Sequence, residues 1–203
     1  MTRALSIIAL AALLAACAVT PPRGVTGSAE QAWRTRQAAL AALTDWSFTG
    51  RIGITLGDQG WHAALNWQQH TEGYDIQISG PLGQGVGMLH GGPDGVLLRT
   101  PDHKESRAAD AESLLYAQFG WWVPVSGLKY WLRGLPDPQQ TAQTTLDDNG
   151  RLTQLQQAGW EIRFTRYAQL AELALPDRLT LSNDRMKVKL IVDAWRSKQQ
   201  IVE

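Results

Sequence analysis

Cys17 is the only cysteine of the chain, and it closes the run Leu14-Ala15-Ala16-Cys17 at the end of a short apolar N-terminal stretch. A lone thiol in an exported protein has no disulfide to make, so its chemistry is that of a nucleophile consumed by modification. Small residues followed at once by that thiol form the pattern of a bacterial lipobox. The rule attached to the pattern makes Cys17 the first residue after cleavage and the site of a diacyl anchor. Each buried acyl methylene contributes about 0.8 kcal/mol, so two or three chains hold a protein at a membrane almost permanently. Ala18 follows the thiol, where proteins retained in the inner membrane typically carry Asp; the outer membrane is the expected address.

Other chemistry is sparse. His62, His70, His90 and His103 are scattered without the spacing of a common metal site, and read as polar surface or strand residues. No Gly-x-Ser-x-Gly elbow occurs. Gly83-Gln84-Gly85-Val86-Gly87 has Met88 where a dinucleotide fingerprint needs its third glycine, and no βαβ pattern surrounds it. Lys plus Arg and Asp plus Glu number 19 each, so no basic surplus argues for nucleic acid. Neither an enzyme, a metal nor a cofactor is expected.

A different kind of chemistry is offered by Ser79-Gly80-Pro81-Leu82-Gly83-Gln84-Gly85. Pro81 suits the first corner of a turn, and the glycines after it tolerate positive φ, so Leu82 is expected to project from a loop tip. Exposed leucines are usually without meaning. On a chain tethered to a bilayer, a projecting leucine that enters lipid gains about 1.5–3 kcal/mol, too little to anchor but enough to orient or disturb lipid locally.

The elements that must position these residues follow from the hydrophobic pattern. Residues 1–16 read as a lipoprotein signal peptide, because the apolar run is shorter than the roughly 20 residues of a membrane span. Residues 17–29, rich in Pro, Gly, Thr, Ser and Ala, read as the lipidated cysteine and a flexible tether, and residues 30–203 as a single domain. Trp33, Ala39, Leu40 and Leu43 fall near helical spacing, with Arg34, Arg36 and Gln37 opposite, which predicts a helix over 30–43. The period then becomes two: Trp46, Phe48, Ile52, Ile54 and Leu56, then Trp61, Ala63, Leu65 and Trp67, then Tyr74, Ile76 and Ile78. Turns at Gly57 and Gly73 make these an antiparallel meander. Strand-like runs follow at 86–90 and 96–100. Asp110 can cap a helix through Phe119, and Ser126 a second carrying Leu128, Trp131, Leu132 and Leu135 before Gly134 and Pro136. Strands resume at 141–146, 160–165, 178–181 and 186–192, with turns at Asp148-Asn149-Gly150 and Asn183-Asp184.

Many alternating strands with a few amphipathic helices predict a mainly β (α+β) domain: a strongly curved antiparallel sheet or barrel covered on its open side by helices. Nine tryptophans are available to fill its interior. They make either a bulky core or a pocket for an acyl chain.

In order along the chain stand the lipobox, the opening helix with Trp33, Trp67-Gln68-Gln69, and Gly80-Pro81-Leu82-Gly83. After them come Asp110-Ala111-Glu112, Gly120, Pro124-Val125, and Leu128-Lys129-Tyr130-Trp131-Leu132-Arg133-Gly134-Leu135-Pro136. Met186-Lys187-Val188-Lys189-Leu190 and Asp193-Ala194-Trp195 close the series. In this order the chain resembles the family of the outer-membrane lipoprotein LolB over nearly all of the expected domain. The resemblance implies an unclosed antiparallel β-barrel of about eleven strands with a lid of three short α-helices. It also implies a function without ATP or another cofactor: accepting acylated lipoproteins from the periplasmic carrier LolA and inserting them into the outer membrane, from its periplasmic side. Pro81, Leu82 and Gly83 match the family's membrane-insertion loop, whose leucine delivers cargo but is not needed to receive it. Trp46, Phe48, Ile52, Trp61, Leu65, Trp67, Ile76, Leu114, Leu128, Trp131 and Leu132 are the candidate lining of the acyl-chain cavity. Alternation alone leaves open which strand face points inward. The expected partners are a LolA-like carrier, the acyl chains of its cargo and outer-membrane lipids, met by a monomer. A structural lipoprotein subunit of an outer-membrane assembly complex is the alternative, and a lipid-modifying enzyme a more distant one.

Overall fold

The computed structural model describes residues 26–80 and 85–197. Cys17, Pro81, Leu82 and Gly83, and with them the expected anchor and loop tip, lie outside the described residues.

Alternating apolar residues build one eleven-stranded sheet. After helix α1 (Thr26–Ala41) come β1 (Trp46–Leu56), β2 (Gln59–Gln69), β3 (Tyr74–Ser79), β4 (Gly85–Gly92), β5 (Gly95–Arg99) and β6 (Glu105–Ala108). Helices α2 (Ala111–Phe119) and α3 (Val125–Trp131) follow, then β7 (Ala142–Leu146), β8 (Leu152–Gln157), β9 (Trp160–Leu170), β10 (Leu173–Ser182) and β11 (Met186–Ser197). The strand order is β6-β5-β4-β3-β2-β1-β11-β10-β9-β8-β7, antiparallel throughout, and its two ends do not pair: the barrel is unclosed.

The first and last strands meet at the centre, with Trp46 opposite Ser197 and Leu56 opposite Met186. A bulge between Thr49 and Gly50 breaks that register. A β-carbon on Gly50 would stand 2.3 Å from the carbonyl oxygen of Ile191, so only glycine lets β11 approach here.

The face carrying Trp46, Phe48, Ile54, Leu65, Trp67 and Ile76 is the buried one, and it forms a single cluster with Leu114, Leu115, Leu128, Trp131 and Leu132 of the lid segment. Burial thus decides which face points inward. The opposite face carries the polar partners of the alternation, Arg51, Thr55, His62 and Gln68 among them, all exposed.

Several expectations are corrected. The opening helix starts earlier than 30, at Thr26, because Gly, Ser, Ala and Glu carry no apolar period by which to place it. Ala39 is exposed, and Arg36, expected outside, turns inward: its guanidinium donates to the Ala174 carbonyl and lies 5.4 Å from the centre of the Tyr167 ring. A long stem over an aromatic face buries as much apolar surface as a leucine while its head finds an acceptor. The helix rests directly on the 147–151 turn, where a β-carbon on Gly150, at φ +67°, would stand 2.5 Å from the Trp33 nitrogen. Asp110 does cap α2, its carboxylate accepting the Ser113 N–H at 2.7 Å. Ser126, by contrast, is not a cap: Pro124 holds that position in α3, and both the N–H and the hydroxyl of Ser126 donate to Glu112, at 2.8 and 2.6 Å. Strands β6 and β8 are not legible in the sequence, since Glu-Ser-Arg-Ala has no apolar face and Leu152 and Leu155 are spaced by three.

Candidate functional site

All eleven candidate lining residues meet on the helix-covered side of the sheet. Nine are buried, and Ile52 and Trp61 are half-buried against them. β1 and β2 place Phe48 opposite Trp67, and β2 and β3 place Trp67 opposite Ile76. The rings of Trp46 and Trp67 lie 5.8 Å apart, those of Phe48 and Trp67 6.2 Å. Trp195, not among the candidates, completes this cluster at 5.5 Å from Trp46 and 5.2 Å from Phe48. Its place follows from the β1–β11 register, a pairing between chain ends that has no local signal.

A second aromatic group forms where the α2–α3 connection meets β2. Trp121 stacks on Phe119 at 5.1 Å and meets Trp61 edge-on at 5.3 Å. Among the described residues the indole N–H of Trp121 is buried without a hydrogen-bond partner. Tyr116 and Trp122, in contact at 5.9 Å, are more than half exposed beside it.

Hydrogen bonds tie the lid down at three points. Trp131, 1% exposed, donates its indole N–H to Gln157 Oε1 at 2.8 Å. The same oxygen accepts the Asp137 N–H, and Gln157 Nε2 donates to the carbonyls of Asp137 and Gln140. Arg133 joins α3 to the end of α1, donating to the carbonyls of Leu40 and Leu43 at 3.0 and 2.8 Å and to that of Lys129. Carbonyls at a helix terminus have spare acceptor capacity, the Leu40 oxygen taking only the Leu43 N–H at 3.3 Å besides, and a guanidinium satisfies them well. Burial lowers its pKa from the usual arginine value, while the Tyr130 ring at 5.6 Å favours the cation. Glu112 joins α2 to α3 through Ser126. Gln157 and Arg133 escape sequence reasoning because a polar residue in a strand or helix end reads as surface.

Side chains on this interior pack against one another. Leu132 and Trp131 are at most 1% exposed, as is Phe48, the close packing of an ordinary protein interior. Hollows elsewhere include one of about 640 Å³ lined by residues of β7, β8 and β9 and the 182–184 turn, and one of about 430 Å³ on the far face of β1, β2 and β11.

The histidines are all exposed. Two of them converge, unlike their scattered sequence positions: Asp75 Oδ1 lies 2.8 Å from His90 Nδ1, and Asp75 Oδ2 3.8 Å from His70 Nε2. Among the described residues no group of three or more His, Cys, Asp or Glu could hold a metal ion.

An unclosed antiparallel barrel, with an aromatic interior under a hydrogen-bonded helical lid, defines a lidded half-barrel whose apolar core lies beneath the helices. Solved structures with this fold include a LolA superfamily protein from Nitrosomonas europaea, with a TM-score of 0.58 at 8% identity over 87% of this chain and 97% of that one. A DUF1329 family protein from Desulfovibrio piger also has a TM-score of 0.58, at 9% identity over 86% and 93% of the two chains. Sequence is more specific. The family model described as outer membrane lipoprotein LolB matches residues 44–195. Outer-membrane lipoprotein LolB of Nitrosococcus oceani is 39% identical over 95% of this chain and 96% of its own, and that of Pseudomonas putida KT2440 is 38% identical over 94% of each. The chain belongs to the LolB family of outer-membrane lipoproteins.

Proposed function

We propose that this chain is an outer-membrane lipoprotein receptor, anchored through acylated Cys17 and facing the periplasm. As a monomer it accepts acylated lipoproteins from a LolA-like carrier and inserts them into the outer membrane. The observation that carries this reading is the convergence of the aromatic and aliphatic lining beneath a helical lid, in a chain of the LolB family. The assembly-subunit alternative has no comparable support.

The mechanism follows from burial. Leu128, Trp131 and Leu132 move off Leu65 and Trp67, and acyl chains take the vacated surface. Each methylene buried contributes about 0.8 kcal/mol, which offsets the cost of parting the lid from the sheet. The unpaired Trp121 N–H gives an acyl ester carbonyl a donor at the edge of the interior. A difference of about 1.4 kcal/mol between carrier and receptor biases transfer tenfold. The bilayer buries the chains more completely still, so delivery is downhill, and Leu82 lowers its barrier by entering lipid.

The test mixes the full chain with carrier holding a radiolabelled lipoprotein, then adds liposomes and follows the label. The parent is expected to receive and deliver. Leu82→Glu should load normally and stall with cargo bound, whereas Leu65→Glu and Trp131→Glu, if folded by circular dichroism, should fail to load. Normal delivery by Leu82→Glu would remove the insertion loop from the mechanism, and normal loading by both interior variants would remove the cavity.

A further inference from the structure

Cations are unevenly spread over this chain of zero net charge. On the face of the sheet opposite the lid, the registers align Arg163, Thr180, Lys189 and Gly53 in one row across β9, β10, β11 and β1. The adjoining row runs from Arg178 through Ile191 to Arg51 and Ala64. Lys187 stands beside them, opposite Ser182 and Thr55. Arg51 is paired with Asp193 at 2.7 Å and Arg163 with Glu161. Arg178, Lys187 and Lys189 are exposed and have no carboxylate within 4.0 Å among the described residues.

The same face holds the hollow of about 430 Å³. Gly53, Ala64 and Ile191 form its floor, and Arg51 and Lys189 stand at its rim, with Gly80 at one end. Gly53 keeps it open: a β-carbon there would stand 3.1 Å from the exposed His62 ring. A floor of small and aliphatic residues beside the unpaired Lys189 and the Asp193-paired Arg51 matches an amphiphile with a negative head. An acidic protein surface would leave that floor without a counterpart.

We propose that this face lies against an anionic membrane surface, and that the hollow seats one phospholipid head group, its phosphate on Lys189 and beside the edge of Arg51 that Asp193, bound to Nε and Nη2, does not take, and its glycerol ester region over Gly53, Ala64 and Ile191. The role goes beyond receipt and delivery of cargo: it sets the orientation of the half-barrel on the membrane, which a lipid anchor on a tether cannot do. Each unpaired cation near such a surface favours the bound orientation by about fivefold, an effect that weakens as salt shortens the Debye length.

The full chain is reconstituted into vesicles of phosphatidylcholine, with or without phosphatidylglycerol, and its lysines are acetylated briefly and read by mass spectrometry. Labelling of Lys187 and Lys189 is expected to fall by about fivefold with phosphatidylglycerol, to recover in high salt, and to leave exposed Lys104 unchanged as the internal reference. Gly53→Val, which fills the floor without altering charge, should restore labelling of Lys189. Equal labelling in both vesicles overturns the proposal, as does protection that appears only when loaded carrier is added, which would assign the face to an acidic protein. If Gly53→Val changes nothing, the head-group seat is wrong. The neutral vesicles report the anchor separately: a chain that does not float with them is not anchored through Cys17, and the anionic vesicles still decide this face.

Discussion

Gln157 is the polar residue on which the lid rests, and its energetics are those of a buried amide with every hydrogen bond made. Its oxygen accepts from Trp131 and Asp137, and its nitrogen donates to two carbonyls. Gln157→Leu would leave the Trp131 indole N–H and the Asp137 N–H buried and unpaired, at a cost of about 2–4 kcal/mol, read as a lowered urea midpoint. Tyr74 and Tyr167 carry the other residue-scale consequence. Burial pushes both phenols well above the usual tyrosine range, and the carboxylates of Glu112 and Asp110 add to the effect at Tyr74. The unfolded chain ionises near pH 10 while the folded one keeps its protons. The stabilisation is therefore complete below pH 10 and is lost as pH rises, by up to about 1.4 kcal/mol per pH unit for each phenol. The melting temperature should fall steeply above pH 10, and Tyr74→Phe should flatten that slope; an unchanged slope would show that Tyr74 ionises normally in the fold.

At the scale of elements, each lid helix is short and depends on its ends. α2 has nine residues, too few to be stable alone, and gains from the Asp110 cap and from Gly120 in the left-handed region closing it at φ +72°. Asp110→Ala should cost about 1 kcal/mol by thermal unfolding. The linkage is wider than one helix, because Glu112 of α2 supplies the acceptor that α3 lacks at its own start. Weakening α2 therefore loosens α3, and the same variant should raise amide exchange in α3. Exchange confined to α2 would show that the two helices part independently.

Over the whole molecule, the sheet is held at its centre by strands from opposite ends of the chain. β1 and β11 are covered on both sides by neighbours, whereas β6 and β7 each have one. β6 is four residues long and bears the Arg99–Glu105–Arg107 ion pairs, features that discourage another strand from adding to that edge. Every residue of β7 but Leu146 is exposed. Hydrogen exchange by mass spectrometry should find β6 and β7 exchanging first and the β1–β11 pair last. The reverse order would mean that the barrel opens at its centre. An edge that opens easily while the centre holds suits a half-barrel whose contents must come and go.

Local features were legible in the chain alone, because they depend on near neighbours. Alternation of Trp46, Phe48, Ile52 and Ile54 specifies a half-buried strand wherever it is placed, and Asp110 caps whatever helix follows it. The spaced series of motifs was enough to reach the family. Only the tertiary structure decided which strand face is inside, because period two describes both faces equally until a lid covers one. It also joined Trp195 to Phe48, Gln157 to Trp131 and Arg133 to the end of α1, contacts between residues far apart in the chain whose polar or exposed-looking types give no local sign of burial. The cations of β9, β10, β11 and β1 lie in separate stretches of sequence, and a chain with no net charge acquires a basic face only when strand register places them side by side.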